Sequence, residues 1–285
     1  MNILVTGSNG QLGKQFQKLS GASSHAFFFN DKTELDICQI DQVSAFVKNQ
    51  NIHLIINCAA YTAVDLAEEQ KDTAFRVNRE AVKNLVEVCS QNRVALIHLS
   101  TDYVFDGKHF RPYKETDTTN PLGVYGESKR AGEKLILNSE ISALVIRTSW
   151  LYSSEGHNFF NTMLRLGKER EELNVVDDQI GTPTYALDLA QAVLVCVEMM
   201  SIWKTKREIY HFSNEGVASW YDFTKAIFDF HQIKCRINPI PSERFPTKAE
   251  RPFFSVLCKQ KFKNDFNQDI RHWNDALQSI KINTL

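Results

Sequence analysis

Short runs of β-branched and aromatic residues alternate with longer amphipathic segments through the first half of the chain. The short runs predict five strands, at residues 3–6, 26–29, 54–57, 95–99 and 144–147. Between them, apolar residues at three- and four-residue steps predict helices at residues 11–19, 39–48, 73–91 and 125–138. Strands and helices that alternate in this way form a parallel sheet with helices on both faces. The pattern therefore predicts an α/β fold with a Rossmann-like, doubly wound parallel sheet.

The strict alternation weakens after about Trp150. Helical periodicity returns at residues 158–168, 186–200, 220–230 and 268–280, and a short strand is predicted at 208–212. Four prolines between Pro239 and Pro252 exclude a regular helix there and predict an irregular loop that reaches toward a ligand. We therefore expect a smaller C-terminal lobe, some segments of which return to the first domain.

Composition and charge narrow the class of protein. The 285 residues include 33 Lys and Arg against 34 Asp and Glu, so the net charge of -1 predicts neither a nucleic-acid nor a membrane partner. The chain shows no basic segment followed by a long apolar stretch at its start, and no run of 18 apolar residues. Its six widely spaced cysteines are expected to be reduced. A cytoplasmic protein is therefore expected.

A glycine-rich turn follows the first predicted strand and opens the first predicted helix. Glycines allow a tight turn and close backbone approach, and free N–H groups at a helix start attract a pyrophosphate. An ordinary glycine-rich turn is the alternative that this placement disfavours. We expect residues 1–150 to be a dinucleotide-binding domain and residues 151–285 to form mainly the substrate-binding lobe. The residues expected to contact the cofactor in this turn are Gly7, Gly10, Gln11, Leu12 and Gly13.

The loop after the second strand carries residues expected near the adenosine. Asp31 can accept a hydrogen bond from a ribose 2′-hydroxyl, which favours NADH, whereas Lys32 can offset a 2′-phosphate, which admits NADPH. The sequence leaves the choice of NADPH or NADH open. Asp36 and Ile37 are expected to flank the adenine, with a solvated loop acid as the alternative. Three residues after the third strand are expected to approach the cofactor, unless they only pack at the strand end: Ala59, Ala60 and Tyr61.

A Tyr and a Lys four residues apart begin the predicted helix at 125–138. This spacing places the phenol of Tyr125 and the ammonium of Lys129 on one helix face. An adjacent ammonium stabilises phenolate and is expected to lower the pKa of Tyr125, which then serves as general acid in a reduction. Lys129 is also expected to hydrogen-bond the nicotinamide ribose, so that one residue orients both the proton donor and the hydride donor.

The carboxyl end of the fourth strand supplies the third catalytic candidate. Thr101 lies where a doubly wound sheet presents its ligand crevice. Its hydroxyl can donate to a substrate carbonyl oxygen, and that bond would strengthen as alkoxide character develops. The alternative is that the Ser-Thr-Asp segment at residues 100–102 only caps a turn.

These motifs together resemble one known family, the dTDP-4-dehydrorhamnose reductases of the extended short-chain dehydrogenases. The similarity covers nearly the whole chain. The matching segments are TGSNGQLG at 6–13, ELDI at 34–37, NCAAYTAVDLAEE at 57–69, STDYVFDG at 100–107, PLGVYGESKRAGE at 121–133, RTSWLY at 147–152 and DQIGTPTYALDLA at 178–190. The resemblance implies reduction of the C4 ketone of dTDP-4-dehydro-L-rhamnose by NAD(P)H, in the biosynthesis of dTDP-L-rhamnose for cell-surface polysaccharide.

The same resemblance implies roles for individual residues. Thr101, Tyr125 and Lys129 would be the catalytic set, and the substrate would be held by Asp102, Trp150, Asn158, Phe159 and Arg251. In physical terms, Arg251 can bind a diphosphate in bidentate fashion and Trp150 can bound a deoxysugar face, although a surface Arg and a core Trp are equal alternatives. Asn78 is expected to pack between helices. Some relatives bridge subunits through a metal on acidic residues, but Gln15 offers no carboxylate, so we predict no metal and leave a homodimer open.

Two other functions remain alternatives at this point. A sugar-nucleotide dehydratase or epimerase would share the fold, the glycine turn and the Tyr/Lys pair. Dehydratases resembling this chain carry an Asp-Glu pair where this chain has Asp102 and Tyr103, so elimination lacks its second carboxylate. A non-catalytic, dinucleotide-binding regulatory subunit is the other alternative, and the intact catalytic set argues against it.

Overall fold

The structure is a computed structural model that describes residues 1–280, and its centre is one six-stranded parallel sheet. The strands in chain order are β1 (Asn2–Thr6), β2 (Ala26–Asn30), β3 (Leu54–Asn57), β4 (Ala95–Thr101), β5 (Ala143–Thr148), β6 (Leu151–Tyr152), β7 (Glu172–Val176), β8 (Ile180–Gly181), β9 (Thr184–Tyr185), β10 (Arg207–His211), β11 (Ala218–Ser219) and β12 (Arg236–Ile240). The sheet order is β10-β5-β4-β3-β1-β2, with every pair parallel. The predicted fold class and the first five strands are confirmed.

The helices follow the predicted alternation. In chain order they are α1 (Gln11–Ser20), α2 (Ile40–Asn49), α3 (Val64–Ala67), α4 (Lys71–Phe75), α5 (Ala81–Asn92), α6 (Val124–Leu137), α7 (Phe159–Glu169), α8 (Ala186–Glu198), α9 (Trp220–Phe230), α10 (Gln260–Phe266) and α11 (Trp273–Gln278). The helix predicted at 73–91 is interrupted, because a π-helical turn at Arg76–Glu80 joins α4 to α5. In the described part of the chain, no helix is both long and apolar enough to cross a bilayer.

Three apolar clusters hold these elements together. One face of the sheet packs against α1, α8 and α10 through residues such as Phe16, Val193 and Phe262. The opposite face packs against α2, α5 and α6, with Leu85 and Ile136 fully buried. A third cluster lies in the C-terminal half between α7, α9, α11 and the short sheet of β7 and β12; its largest members include Phe160, Phe223 and Trp273.

Some predicted elements of the C-terminal half differ from the structure. The strand predicted at 208–212 is β10, which returns to the edge of the central sheet beside β5. The helix predicted at 268–280 starts too early, because α10 ends at Phe266, Asn267 follows it with a left-handed φ of 49°, and α11 begins only at Trp273. The later part of its apolar period is genuine, since Trp273, Ala276 and Leu277 pack on the third cluster, whereas Ile270 lies before α11 and packs on the first.

The irregular loop predicted between Pro239 and Pro252 begins later in the structure, after Ile240. Pro239 lies in β12, which pairs only with β7 and therefore tolerates a residue without an N–H. After Ile240 the chain is irregular up to Pro252, apart from a short 3₁₀ turn at Ser242–Arg244. All six cysteines are free; Cys89 and Cys196 are buried and the other four are half-buried.

A buried ion pair attaches α6 to the sheet. The Arg147 guanidinium on β5 donates through Nε to Glu133 Oε1 at 2.9 Å and through Nη2 to Glu133 Oε2 at 2.7 Å. Both side chains are at most 3% exposed. The removal of one partner of such a pair leaves the other charge buried without compensation.

We expect Glu133→Ala to lower the free energy of unfolding by about 3–5 kcal/mol, because it strands the Arg147 charge between α6 and β5. Urea denaturation measures this change. The control is Glu169→Ala, which breaks the exposed pair of Arg165 and Glu169 on α7 and should cost at most about 0.5 kcal/mol. Equal losses in the two variants would contradict the structural role assigned to the buried pair.

Candidate active site

A cleft of about 1730 Å³ opens at the carboxyl ends of β1, β3 and β4 and continues along the C-terminal half. Ligands bind at this edge in doubly wound sheets. Asp31 is not in the wall of the cleft, although its neighbour Lys32 is. The other predicted site residues all line it: Gly7, Gly10, Gln11, Leu12, Gly13, Asp36, Ile37, Ala59, Ala60, Tyr61, Thr101, Asp102, Tyr125, Lys129, Trp150, Asn158, Phe159 and Arg251.

The glycine turn is shaped to hold an anionic group. Gly7 has a φ of +65°, and a Cβ there would lie 2.7 Å from the Ala59 backbone nitrogen. A Cβ on Gly13 would lie 2.5 Å from Ser8 Cα, so only glycine lets α1 start this close to β1. No side chain caps α1 at Gly10, and its first turn has no acidic residue. The free amides at this helix start therefore suit a pyrophosphate.

The loop after β2 presents a cation to the cleft and keeps its carboxylate occupied. The Asp31 carboxylate accepts hydrogen bonds at 2.7 Å from the Thr33 backbone N–H and hydroxyl, and it also accepts one from the Asn9 amide. The hydrogen bonds from Thr33 are the main cause that lowers the pKa of Asp31. Lys32 is exposed and lines the cleft.

Asn78 does more than pack between helices, because its side chain hydrogen-bonds both Tyr61 and Ser128. It lies in the π-helical turn and is buried. Its amide accepts from the Tyr61 N–H at 2.9 Å, donates to the Tyr61 carbonyl at 3.0 Å and donates to Ser128 Oγ at 3.0 Å. Asn78 thus fixes the loop after β3 against α6, between the expected cofactor backbone contacts and the Tyr/Lys pair. π-helical turns often occur at such functional positions.

The Tyr/Lys pair faces the cleft, but its electrostatics differ from the expectation. Burial raises the pKa of Tyr125 to about 12, and the Thr101 hydroxyl opposes that rise. The expected lowering by Lys129 is therefore wrong for this arrangement, because the desolvation of the phenol decides the shift and the Asp102 carboxylate adds to it. Lys129 Nζ donates to the Leu99 carbonyl at 2.7 Å and lies 3.4 Å from His98 Nε2. Burial lowers the pKa of Lys129 to about 8.

Thr101 also makes the turn cap that was weighed as its alternative role. Its hydroxyl oxygen accepts from the Tyr103 N–H at 3.2 Å, and its proton is donated to Asp102 Oδ1 at 3.1 Å. Asp102 is buried, and burial raises its pKa to about 6. Thr101 must therefore release Asp102 before its hydroxyl donates to any other acceptor.

Aromatic side chains from the C-terminal half form one wall of the cleft. The rings of Trp150 and Trp220 stack at 3.5 Å with an interplanar angle of 6°, and Phe159 lies 4.4 Å from Trp220. Trp150 adopts a left-handed φ of 45°, a strained conformation for a bulky residue. Gly181 makes room for it, since a Cβ there would lie 2.5 Å from the indole. The chain thus holds Trp150 in a costly conformation at the site.

Asn158 and Arg251 line the cleft but already have partners. The Asn158 amide donates to Gln11 Oε1 at 2.9 Å, and its carbonyl oxygen caps α7 by accepting from the Asn161 N–H. Arg251 forms a bidentate pair with Asp65, at 2.6 and 3.1 Å. The loop that carries Arg251 is therefore attached to α3.

Sequence patterns did not identify Trp220, Asp65 or His98 as site residues. Trp220 follows the periodicity of α9, and Asp65 lies 186 residues from its partner Arg251, so neither carries a local signal. His98 stands within an apolar strand, which is typical of a core residue. The sequence does contain a signal for His98, because the buried strands β1 and β3 also end in polar residues, Thr6 and Asn57.

Comparison with known proteins places this site in a family. The family model described as "RmlD substrate binding domain" matches residues 1–284. The chain is 41% identical over 288 residues to the dTDP-4-dehydrorhamnose reductase of Aggregatibacter actinomycetemcomitans, which covers 98% of both chains.

Two solved structures agree with this result. The dTDP-4-dehydrorhamnose reductase of Clostridium acetobutylicum superposes with a TM-score of 0.92 at 38% identity, over 98% of this chain and 97% of that one. The Bacillus anthracis enzyme, solved in complex with NADP, gives the same TM-score and identity over 97% of both chains. The predicted family is confirmed, because the chain belongs to the RmlD family. The relatives described above, to which the chain is similar, are dTDP-4-dehydrorhamnose reductases.

Proposed function

We propose that this protein reduces the C4 ketone of dTDP-4-dehydro-L-rhamnose to dTDP-L-rhamnose, with a reduced nicotinamide dinucleotide as hydride donor. The observation that carries the proposal is that one cleft contains the glycine turn, the Tyr/Lys pair on α6 and the aromatic wall. The names of the similar proteins and the NADP complex of the Bacillus anthracis enzyme support the same reaction.

The chain's own residues supply the proton and the orientation for this reduction. The bound dinucleotide would provide the hydride to the ketone carbon. Tyr125, whose pKa near 12 keeps its phenol protonated, is the general acid for the ketone oxygen. Thr101 rotates from Asp102 to donate to the same oxygen as negative charge develops. Lys129 orients the nicotinamide ribose and restores the proton on Tyr125.

Elimination chemistry has less support at this site. A dehydratase needs a second acid-base carboxylate beside Asp102, and the next residue, Tyr103, is a phenol whose pKa is raised by burial. The alternative of a non-catalytic regulatory subunit is tested by the assay of the purified protein that is described below.

The loop after β2 favours NADPH over NADH. Lys32 lines the cleft and is exposed, so its ammonium is available to a 2′-phosphate. The carboxylate of Asp31, which would accept from a 2′-hydroxyl, is engaged by Thr33 and Asn9 instead. The NADP complex of the Bacillus anthracis enzyme is consistent with this preference.

The C-terminal half is the proposed substrate-binding lobe. Its third apolar cluster supports α7 and α9, which carry Phe159 and Trp220 into the cleft. Trp150 would bound the deoxysugar and Arg251 would hold the diphosphate, after exchanging part of its contact with Asp65 for the phosphate oxygens. The dinucleotide and the sugar nucleotide are both water-soluble metabolites, which supports a cytoplasmic location.

Oxidation of NADPH by the purified protein, in the presence of dTDP-4-dehydro-L-rhamnose, tests the function. We expect Tyr125→Phe to lower kcat by at least about a hundredfold, because it removes the general acid, while the Kd of NADPH changes little. Absorbance of the reduced nicotinamide measures kcat, and nicotinamide fluorescence measures Kd. Tyr221→Phe is a matched control, since this half-buried phenol lies on α9 and does not line the cleft. Near-normal kcat in Tyr125→Phe would refute its assignment.

We expect Arg251→Ala to raise the KM of the sugar nucleotide more than it lowers kcat, because a diphosphate clamp binds ground and transition states alike. Asp65→Ala separates this role from simple attachment of the loop. If Arg251 binds substrate, the loss of its competing carboxylate should leave KM unchanged or lower it. Equal increases of KM in the two variants would show that the pair only attaches the loop to α3.

We expect Lys32→Ala to raise the KM of NADPH by about tenfold or more and to change the KM of NADH little, because only NADPH carries the 2′-phosphate. Steady-state kinetics with each cofactor measure both constants. The control Lys14→Ala removes a cation of α1 that is paired with Glu155 and does not line the cleft. Parallel increases for both cofactors in Lys32→Ala would refute the 2′-phosphate contact.

A further inference from the structure

A buried row of polar side chains crosses the sheet behind the Tyr/Lys pair. Thr6, Asn57 and His98 are direct neighbours on β1, β3 and β4, since the strand register pairs Thr6 with Asn57 and Asn57 with His98. Each of the three is at most 1% exposed. The row ends at Lys129 on α6, whose Nζ lies 3.4 Å from His98 Nε2. Buried polar groups of this kind need a complete set of donors and acceptors.

The backbone fixes the orientation of the Asn57 amide. The Ala59 N–H can only donate, and it points at Asn57 Oδ1 from 3.2 Å, while the Thr6 hydroxyl donates to the same oxygen at 2.6 Å. The amide nitrogen therefore faces His98, and Asn57 Nδ2 donates to His98 Nδ1 at 2.9 Å. An imidazole that accepts at Nδ1 carries its proton on Nε2 when it is neutral. The row thus selects one tautomer of His98.

In this tautomer, a hydrogen-bond donor of His98 faces a hydrogen-bond donor of Lys129. His98 Nε2–H faces Lys129 Nζ, which already donates to the Leu99 carbonyl at 2.7 Å. An ammonium has no lone pair to accept from Nε2–H, whereas a neutral amine has one. We infer that His98, oriented by Asn57, is a positioning residue that makes the Lys129 ammonium easier to deprotonate.

The pKa of Lys129 also depends on burial and on the other titratable groups that face it. Burial is the largest cause that lowers the pKa of Lys129, and the carboxylate of Glu133 on the same helix opposes it. Glu133 is itself neutralised by Arg147 on β5. Burial and then Lys129 hold the pKa of His98 well below its usual value, so the imidazole stays neutral in the working range. Burial also raises the pKa of Cys58, which keeps it a thiol.

The inference rests on the proposed role of Lys129, which restores the proton on Tyr125 after each reduction. A more acidic ammonium transfers that proton more readily, but it is also lost sooner as the pH rises. The ammonium is the active form, so activity should be full below the pKa of Lys129 and should fall as pH rises through about 8. His98 would thus set the basic limit of the pH range for turnover.

The direct test is the titration of Lys129 in protein with ¹³C at the lysine Cε, the signal being assigned by its loss in Lys129→Met. His98→Asn keeps an acceptor for Asn57 near the position of Nδ1 but removes the donor that faces Lys129. We expect the titration midpoint of Lys129 to rise by about half a pH unit or more in this variant. His98→Gln, whose amide N–H can replace Nε2–H, should restore the midpoint of the unmodified protein.

The control is His231→Asn, which removes a half-buried imidazole after α9 that packs on Phe160 of the third apolar cluster. Its Lys129 midpoint should not move. An unchanged midpoint in folded His98→Asn overturns the inference, as does a midpoint in His98→Gln that rises equally. The ¹H–¹⁵N spectrum of the unmodified protein's histidines gives a test that needs no variant, since an Nδ1–H tautomer for His98 also overturns it.

The pH profile of kcat separates this inference from the proposed function. If the Lys129 midpoint and the basic limb of the profile both rise in His98→Asn, the inference and the role of Lys129 in turnover are supported together. If the midpoint rises and the limb stays fixed, His98 does tune Lys129 as inferred, but the proposed proton transfer through Lys129 is wrong.

Discussion

The placement of α6 on the central sheet determines the rest of the site. Its attachment is the buried ion pair of Glu133 and Arg147, which lies one helical turn beyond Lys129. Two glycines on the same helix allow close backbone contact, because a side chain on Gly126 would collide with the Tyr103 carbonyl and one on Gly132 with the Asn78 carbonyl. These contacts leave α6 little freedom to slide or rotate. The phenol and the amine of the helix therefore keep a fixed position relative to the end of β4.

The parallel sheet brings the remaining parts to the same edge. The glycine turn, the loop fixed by Asn78 and the Thr101 turn follow β1, β3 and β4, which are neighbours in the sheet. The C-terminal half is coupled to this edge by polar contacts as well as by packing. Gln11 in the first turn of α1 accepts from Asn158 at the start of α7, and Arg251 pairs with Asp65 on α3. The proposed cofactor and substrate regions thus share one continuous set of contacts.

Local patterns in the sequence predicted what local geometry controls. The five strands follow from short runs of β-branched and aromatic residues, and the Tyr/Lys spacing follows from the helical period, so they needed no knowledge of distant partners. Long-range pairs carry no such signal, and this is why the partner of Arg251 and the contact of His98 with Lys129 were not predicted. The raised pKa of Tyr125 was missed for a related reason. Spacing indicates which groups are neighbours, whereas burial, which decides the shift here, depends on the whole fold.

The stacked indoles of Trp150 and Trp220 have an optical consequence. Two chromophores 3.5 Å apart and nearly parallel couple their electronic transitions, and the chain contains four tryptophans in total. Such coupling produces a circular dichroism couplet whose size depends on the separation and angle of the rings. A molecule that slid between the rings, or rotated the strained Trp150 backbone, would change that couplet without any added label. The aromatic wall therefore acts as a built-in spectroscopic reporter of occupancy in the C-terminal part of the cleft.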